Sequence, residues 1–312
     1  MNLVRRWSWC VAAASIVMSV ASTAGAGASA EEPPVPTAVE IAVPAIEGLP
    51  AVTMAAELFV PGGAGPFPVV VYSHGRATKP ADRNGLRSAI PRGHARYWMR
   101  KGFAVVAPVR PGYGATGGPD RERSGARLEP DGACGGALRV TSAGEVSATA
   151  VRAAVDWARR QPWALADRVL LVGTSAGGVA TVVAASHAPL GVVGFVNFSG
   201  GVAGFPDKRP GASCGEAALA ALFRRVGPGV AVPNLWLYAE NDRYWGSEAP
   251  RRWHGAFAAG GSPTRFVMTG PVPNEDGHRL MLRGGRLWSV HVDDFVAGLG
   301  FAARPLSSPA PE

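Results

Sequence analysis

One serine in this 312-residue chain has neighbours that suit nucleophilic chemistry. Ser175 lies at the centre of the pentapeptide GTSAG, between an apolar run, RVLLV, and a small-residue stretch, AGGVATVVAASHA. A Gly-x-Ser-x-Gly sequence that ends a strand and opens a helix is typical of a sharp turn that exposes the serine hydroxyl. We therefore predict a nucleophile at Ser175. The alternative is a tight glycine-rich turn with an inert serine.

His278 is the histidine best placed to activate this serine, because a hydroxyl is a weak nucleophile until a base removes its proton. It follows the last predicted strand, in PNEDGHRLM, on a loop that can reach over the sheet edge. The remaining histidines fall in or at the ends of predicted helices, or end an earlier strand: His94, His187, His254, His291 and His74.

The base in turn needs a carboxylate that fixes its tautomer and stabilises its charged form. Asp242 ends the apolar run NLWLYAEND, at the strand edge where open α/β sheets place their sites. Glu240 is the second candidate. Asp276 is the third, although a carboxylate two residues before His278 needs a contorted loop to reach the same ring.

Backbone donors must also meet the negative charge that develops on a substrate oxygen. The N–H of Ala176, at the predicted helix start, is one candidate. The second is the N–H of Arg76, in the loop after VVVYSHG, and this assignment makes His74 structural. Tyr244 and Trp245 follow Asp242 and are candidates for lining a pocket, with ordinary packing as the alternative.

Short β-branched apolar runs separated by helical segments must position these groups. Six runs predict strands that are buried on both faces of a parallel sheet: 67–75, 102–110, 168–175, 192–200, 234–242 and 264–270. Two earlier runs, AVEIAVPA and VTMAAELFVP, alternate more strongly and predict an antiparallel edge. The pattern indicates an α/β fold with a mostly parallel sheet, helices on both faces and short pocket-covering loops.

The chain order Ser175, Asp242, His278 is that of the α/β-hydrolase triad. Residues 52–299 resemble an α/β-hydrolase of the dienelactone-hydrolase-like group and the catalytic domain of prolyl-oligopeptidase-type peptidases. The segments that carry the resemblance are LFVPGGAGPFPVVVYSHG, ARYWMRKGFAVVAPVRPGYGATGG, GTSAGG, LYAENDRYW and DGHRLM. It implies a serine-hydrolase mechanism. Dienelactone hydrolases carry a cysteine nucleophile where this chain has Ser175. The oligopeptidases carry a large β-propeller before the hydrolase domain, and we expect none in front of the site here, because only about twenty residues separate the predicted cleavage site from the first strands.

The N-terminus predicts export. Residues 1–30 combine Arg5 and Arg6, an apolar stretch and a terminal ASA, which is the pattern of a signal peptide cleaved after Ala30. The alternative is a membrane anchor. The expected mature chain, 31–312, is one domain with loose Pro-rich ends, no stable membrane insertion and a periplasmic or extracellular location.

The mature chain keeps two cysteines, Cys134 and Cys214, both in loop-like contexts. An oxidising compartment favours a disulfide between them, and two free thiols are the alternative. No histidine or cysteine cluster has metal-ligand spacing, and no stretch indicates a cofactor.

The chain is basic, with a formal net charge of +8. Removal of residues 1–30 takes away two arginines and leaves +6. The densest basic segment, RSAIPRGHARYWMRK, lacks the basic and aromatic interleaving of a nucleic-acid site and predicts a solvated helix face. A weaker interpretation is that it attracts anionic substrates.

These observations predict an exported serine hydrolase of small-molecule carboxylic esters, with no cofactor and no nucleic-acid partner. One alternative is an aminopeptidase or amidase that keeps the mechanism and changes the bond, although no obvious acidic pair is available for a substrate amine. The other is a non-catalytic binding protein on a hydrolase scaffold.

Overall fold

Twelve strands and eight helices form the part of the chain that the computed structural model describes, residues 34–46 and 48–301. The strands are β1 (Thr37–Val43), β2 (Val52–Phe59), β3 (Phe67–Ser73), β4 (Ala104–Pro108), β5 (Arg127–Leu128), β6 (Cys134–Gly135), β7 (Ala164–Thr174), β8 (Val192–Phe198), β9 (Gly204–Phe205), β10 (Arg209–Ser213), β11 (Asn234–Ala239) and β12 (Thr264–Thr269). The helices are α1 (Pro80–Asn84), α2 (Arg92–Arg100), α3 (Val140–Arg159), α4 (Ala176–Ser186), α5 (Glu216–Val226), α6 (Glu248–Ala258), α7 (Leu280–Arg283) and α8 (Gly285–Gly298).

Eight of the strands form one sheet, in the order β1-β2-β4-β3-β7-β8-β11-β12. The pairs β1–β2 and β2–β4 are antiparallel, and every later neighbouring pair is parallel. The prediction of a mostly parallel sheet with an antiparallel edge is therefore confirmed. Six neighbouring strands of this sheet run in one direction: β4, β3, β7, β8, β11 and β12. Their carboxyl ends therefore meet at one edge, where open α/β sheets bind ligands.

Helices cover both faces of this sheet, and each face has its own apolar core. One core includes Val151 of α3, Val183 of α4, Leu222 of α5 and Trp253 of α6. The other core packs α2, α7 and α8 against the opposite face and includes Trp98. Strand residues alternate between the two cores, which explains why the runs that predicted these strands were almost continuously apolar.

Two segments that lack strand signals in the sequence contain short hairpins. β5 pairs with β6, and β9 pairs with β10. Strands of two to five residues are too short for a detectable alternation of apolar and polar side chains. The second segment also contains α5, whose buried residues recur at helical spacing: Leu219, Leu222, Phe223 and Val226.

The two segments are joined covalently, because Cys134 and Cys214 form a disulfide across a sequence separation of 80 residues. Cys134 lies in β6, and Cys214 lies between β10 and α5. Closing a loop of this length restricts the unfolded chain by about 4 kcal/mol on the chain-entropy account. The disulfide therefore fastens two irregular segments that have few strand partners of their own.

Among the described residues, no helix is long and apolar enough to cross a membrane. The predicted signal peptide, 1–30, and the Pro-rich C-terminal end, 304–312, lie outside the described residues.

We expect both cysteines of the protein that begins after Ala30 to resist alkylation until a reductant is added. Intact-mass spectrometry should then show two new alkylated thiols after reduction and none before. Alkylation of Cys134 or Cys214 in the untreated native protein would contradict the disulfide.

Candidate active site

Ser175 lies at the turn between β7 and α4, in a backbone conformation that L-residues rarely adopt. Its φ is 55° and its ψ is −126°. The Ser175 N–H donates to the Phe198 carbonyl at the end of β8 (2.9 Å), and the Ser175 carbonyl accepts from the Gly178 N–H (2.9 Å). A residue held in such a region costs about 1–3 kcal/mol, so the surrounding contacts must hold the turn in place.

The turn closes this tightly because glycines let β3, β7 and α4 approach each other. A Cβ atom on Gly177 would lie 2.1 Å from the Ser73 carbonyl oxygen and 2.3 Å from that of His74. A Cβ atom on Gly173 would lie 2.2 Å from the Gly177 carbonyl oxygen. These separations are well inside van der Waals contact, so only glycine fits at both positions.

The structure brings together the three side chains that the sequence predicted as nucleophile, base and acid. Ser175 Oγ is 3.0 Å from His278 Nε2, and His278 Nδ1 is 3.1 Å from Asp242 Oδ2. Asp242 follows β11, and its side chain is fully buried. His278 lies in a single 3₁₀ turn just before α7. Both distances are within hydrogen-bonding range, so one series of hydrogen bonds links the carboxylate to the hydroxyl.

Backbone donors fix the orientation of the Asp242 carboxylate. Its Oδ1 accepts the N–H groups of Tyr244 (2.8 Å) and Trp245 (3.2 Å). This leaves Oδ2 for the imidazole of His278. The second candidate for the acid, Glu240, is exposed at the end of β11.

Asp276, the third candidate for the acid, binds backbone rather than the imidazole. Its Oδ1 accepts the N–H of His278 (2.9 Å) and the N–H of Arg243 (2.9 Å). It therefore links the loop that carries the histidine to the loop that carries Asp242.

Asn241, which the sequence analysis did not single out, makes a second link between the same two loops. Its side-chain amide donates to the carbonyls of Val272 (3.2 Å) and Glu275 (3.0 Å), and its Oδ1 accepts the Val272 N–H (2.9 Å). The sequence offered one indication of this role, which is that Asn241 lies at a predicted strand end beside the candidate acid Asp242.

Tyr244 and Trp245 lie against the imidazole. The Tyr244 ring stacks on His278 with a centroid separation of 4.0 Å, and the Trp245 ring meets it edge-on at 5.3 Å. Trp245 is buried, and its indole N–H donates to the Ser199 carbonyl (2.8 Å). These contacts restrict the orientation of the imidazole plane. Tyr244 and Trp245 are not among the residues that line the cavity beside Ser175.

Two backbone segments that the sequence predicted as oxyanion donors lie next to Ser175. Ala176 is the first residue of α4, where N–H groups have no acceptor within the helix and carry the positive end of the helix dipole. Gly75 passes so close that a Cβ atom on it would lie 3.3 Å from Ser175 Cβ. Arg76 is the next residue along this segment.

The side chain of Arg76 fastens that segment to the loop after β4. It makes two hydrogen bonds to Asp120, at 2.8 Å and 2.6 Å. Burial favours the neutral acid, but these bonds and the Arg76 charge outweigh it and lower the pKa of Asp120 to about 2. The carboxylate is therefore ionised at neutral pH. Sequence reasoning missed this pair, because it joins residues 44 positions apart in irregular segments.

His74 belongs to a buried polar cluster below the site. Its Nδ1–H donates to the Gly75 carbonyl (2.7 Å), and its Nε2 accepts the Arg110 N–H (3.2 Å). The Arg110 guanidinium pairs with Glu122 through two hydrogen bonds (2.6 and 3.0 Å). Burial, reinforced by the Arg110 charge, lowers the pKa of His74 to about 3. His74 is therefore a neutral structural residue, and both of its ring nitrogens bind backbone groups rather than the hydroxyl of Ser175.

A cavity of about 440 Å³ opens beside His278 and Gly75. Its walls are mostly apolar and include Tyr72, Ile90 and Met281. The charged side chains among the described residues that line it are Arg76 and Arg279, and none is acidic.

No family model and no curated protein matches the sequence. Solved structures, however, share the fold. A dienelactone hydrolase from Anabaena variabilis superposes with a TM-score of 0.52 at 18% identity, covering 86% of this chain and 99% of its own. An esterase from Pyrococcus furiosus gives 0.57 at 13% identity, with coverage of 85% and 90%. A puromycin-hydrolyzing peptidase from Mycobacterium tuberculosis gives 0.54 at 20% identity, covering 86% of this chain but only 39% of its own.

The Gly177→Ala variant tests the close approach that holds the turn. The added methyl group must displace the backbone of Ser73 and His74, so we expect a loss of about 1–3 kcal/mol or more in unfolding free energy. We also expect slower reaction of Ser175 with a fluorophosphonate. Gly255→Ala, in α6 and away from both the turn and the cavity beside Ser175, is the matched control, since nothing lies within 4 Å of its added atom. Equal melting temperatures and labelling rates for the two variants would show that the turn does not require glycine at position 177.

The His74→Asn variant tests the buried neutral imidazole. Unfolded His74 takes up a proton near pH 6.5, whereas folded His74 does so near pH 3. The unfolded state therefore binds more protons in between, and stability falls as the pH is lowered through this window.

Removing His74 should reduce the slope of unfolding free energy against pH by about 1.4 kcal/mol per pH unit below pH 6.5. Urea denaturation of both proteins between about pH 5.5 and pH 8, above the ordinary carboxylate pKa values of about 4, measures this slope. Parallel curves would show that folded His74 is protonated with an ordinary pKa.

Proposed function

We propose that this chain, which has the α/β-hydrolase fold, is an exported serine hydrolase that cleaves carboxylic esters through an acyl-enzyme. The observation that carries the proposal is the series of hydrogen bonds from Asp242 through His278 to Ser175. This series ends at the hydroxyl of the residue that immediately precedes α4, beside an open cavity.

In the first half of the reaction, Ser175 Oγ attacks the ester carbonyl while His278 Nε2 takes the hydroxyl proton. Asp242 holds Nδ1–H of the ring and stabilises the imidazolium that forms. The carbonyl oxygen becomes negative and accepts hydrogen bonds from the backbone N–H groups of Ala176 and Arg76. The tetrahedral intermediate then expels the alcohol, which receives its proton from His278, and the acyl group stays on Ser175.

In the second half, a water molecule acts as the nucleophile in place of Ser175. His278 takes a proton from the water as its oxygen attacks the acyl carbonyl. The same two N–H groups hold the second oxyanion, and collapse of this intermediate releases the carboxylic acid. The His278 proton returns to Ser175 Oγ, so the enzyme is regenerated without any cofactor.

An ester is favoured over a peptide because the cavity beside Ser175 has no acidic lining residue among those described. An aminopeptidase needs carboxylates to bind the ammonium group of its substrate. Aminopeptidase or amidase activity remains the second candidate, because peptidases are among the structures that share the fold.

Two observations support export. The disulfide between Cys134 and Cys214 is stable in an oxidising compartment. The first thirty residues have the sequence pattern of a signal peptide.

Replacing Ser175 by alanine should abolish both fluorophosphonate labelling and hydrolysis of p-nitrophenyl acetate. Asp242→Asn should lower kcat by about 10³–10⁴-fold, because the ring of His278 loses its orienting acceptor. Ser142→Ala makes the same chemical change on an exposed face of α3 and should leave both activities intact. Labelling of Ser175→Ala at the wild-type rate would overturn the assignment.

A parallel screen of p-nitrophenyl esters and aminoacyl anilides separates the two candidate activities. We expect a higher kcat/KM for the esters, relative to each compound's uncatalysed rate. A higher relative value for the anilides would favour the amidase.

A further inference from the structure

A second and larger cavity adjoins the one beside Ser175. It has a volume of about 640 Å³ and lies between α2 and the segment formed by α7 and α8. Pro91, Met281 and Leu282 line both cavities, so the two are adjacent and meet at these side chains. His278 lies three residues before Met281, which places the junction next to the candidate base.

The walls of the second cavity are apolar and aromatic, and its rim is cationic. Tyr97, Met281 and Trp288 contribute apolar surface, whereas Arg96, Arg100 and Lys101 contribute positive charge. None of the described residues that line this cavity is acidic.

The rim cations differ in how far other side chains neutralise them. The Lys101 ammonium lies 2.7 Å from Asp293 Oδ1 and 4.9 Å from the centroid of the Tyr97 ring. The Nε of Arg96, in contrast, is buried and has no hydrogen-bond partner among the described residues. No carboxylate among the described residues forms an ion pair with Arg96, so an anion that reached this rim would meet a positive charge that is not neutralised.

His94 is a buried neutral imidazole in the wall of the cavity, only 5% exposed. Its Nε2 accepts the indole N–H of Trp98 (3.1 Å), and burial lowers the pKa of His94 to about 3, so the neutral ring carries its hydrogen on Nδ1. That Nδ1 is buried and has no hydrogen-bond partner among the described residues, so a ligand in the cavity does not reach it. The ring contributes to the aromatic wall through its contacts with Trp98 and Trp288.

We infer that this second cavity is the acyl subsite of the proposed esterase, and that it takes a long apolar acyl chain ending in an anionic group such as a carboxylate. The inference rests on the proposed function. The reacting carbonyl lies at Ser175, the chain passes Met281 into the second cavity, and the terminal anion meets the Arg96 guanidinium at the rim. The substrate class is thus the half-ester of a long dicarboxylic acid.

The same placement explains the basic segment that the sequence predicted to be a solvated helix face. α2 buries His94 and Trp98 and presents Arg96 to the cavity, and Arg100 lies on the exposed side. On this proposal, the segment has the role that the weaker interpretation gave it, attraction of anionic substrates.

The test compares mono-p-nitrophenyl esters of suberic and sebacic acids with p-nitrophenyl octanoate and decanoate, which match them in length but lack the charge. We expect kcat/KM to be about tenfold higher for the charged esters, which corresponds to about 1.4 kcal/mol. Arg96→Gln should reduce this ratio towards one. Arg224→Gln removes an equal charge from α5, on the opposite face of the sheet, and should keep the wild-type ratio.

A binding measurement that needs no turnover completes the test. Isothermal titration calorimetry of free sebacate into the Ser175→Ala protein should give a weaker Kd when Arg96→Gln is added. It should give an unchanged Kd when Arg224→Gln is added.

The possible failures are distinguishable. If p-nitrophenyl acetate is not hydrolysed and Ser175 is not labelled, the proposed function is wrong. If acetate hydrolysis and labelling are normal but the charged esters show no advantage, the inference is wrong. It is equally wrong if Arg96→Gln leaves both the ratio and the sebacate Kd unchanged.

Discussion

The close approach of α4 to the end of β3 is the constraint on which the candidate site depends. Gly177 packs its backbone against the carbonyls of Ser73 and His74 at separations that exclude any side chain. This contact forces the chain into the left-handed turn at Ser175 and aims the first N–H groups of the helix at the space above it. It also brings Gly75 beside the serine, so one packing contact positions both the hydroxyl and the proposed oxyanion donors.

A buried ion pair holds in place the segment that leads from His74 to Arg76. Arg110 and Glu122 pair below the site, and Arg110 also donates to the carbonyl of His74 (2.6 Å). Burying two charges is costly unless the geometry is good and every donor has an acceptor, and this pair approaches that condition. Because Arg110 and burial keep His74 neutral, the loop that leads to Arg76 is fixed by hydrogen bonds that do not titrate near neutral pH.

Much of the fold was predictable from the sequence, because strands buried on both faces leave long apolar runs. The runs around Val71, Leu171 and Leu237 each became a central strand. Ser175 was found because it follows such a strand, and His278 because it follows the last strand, β12, which lies at the edge of the sheet. The ends of parallel strands locate loops at one edge. The structure brings the side chains of Ser175 and His278 within hydrogen-bonding distance.

The parts that the sequence did not reveal arise from contacts between distant irregular segments. The pairing of Arg76 with Asp120 and the links made by Asn241 have no periodic signal, since each depends on where two loops come to lie. The large cavity depends on α2 meeting α7 and α8 across almost two hundred residues of sequence. Periodicity showed that the basic segment was helical, but it could not show which of its residues faced a cavity.

The central claim is that Ser175 carries the acyl group during turnover. Rapid-quench mass spectrometry during hydrolysis of p-nitrophenyl acetate tests it directly, because an acyl-enzyme accumulates when its hydrolysis is slower than its formation. The account predicts one acetyl group per protein, located on the peptide that contains Ser175, which disappears as the ester is consumed. An acetyl group on another residue that forms and decays at the rate of turnover would contradict it.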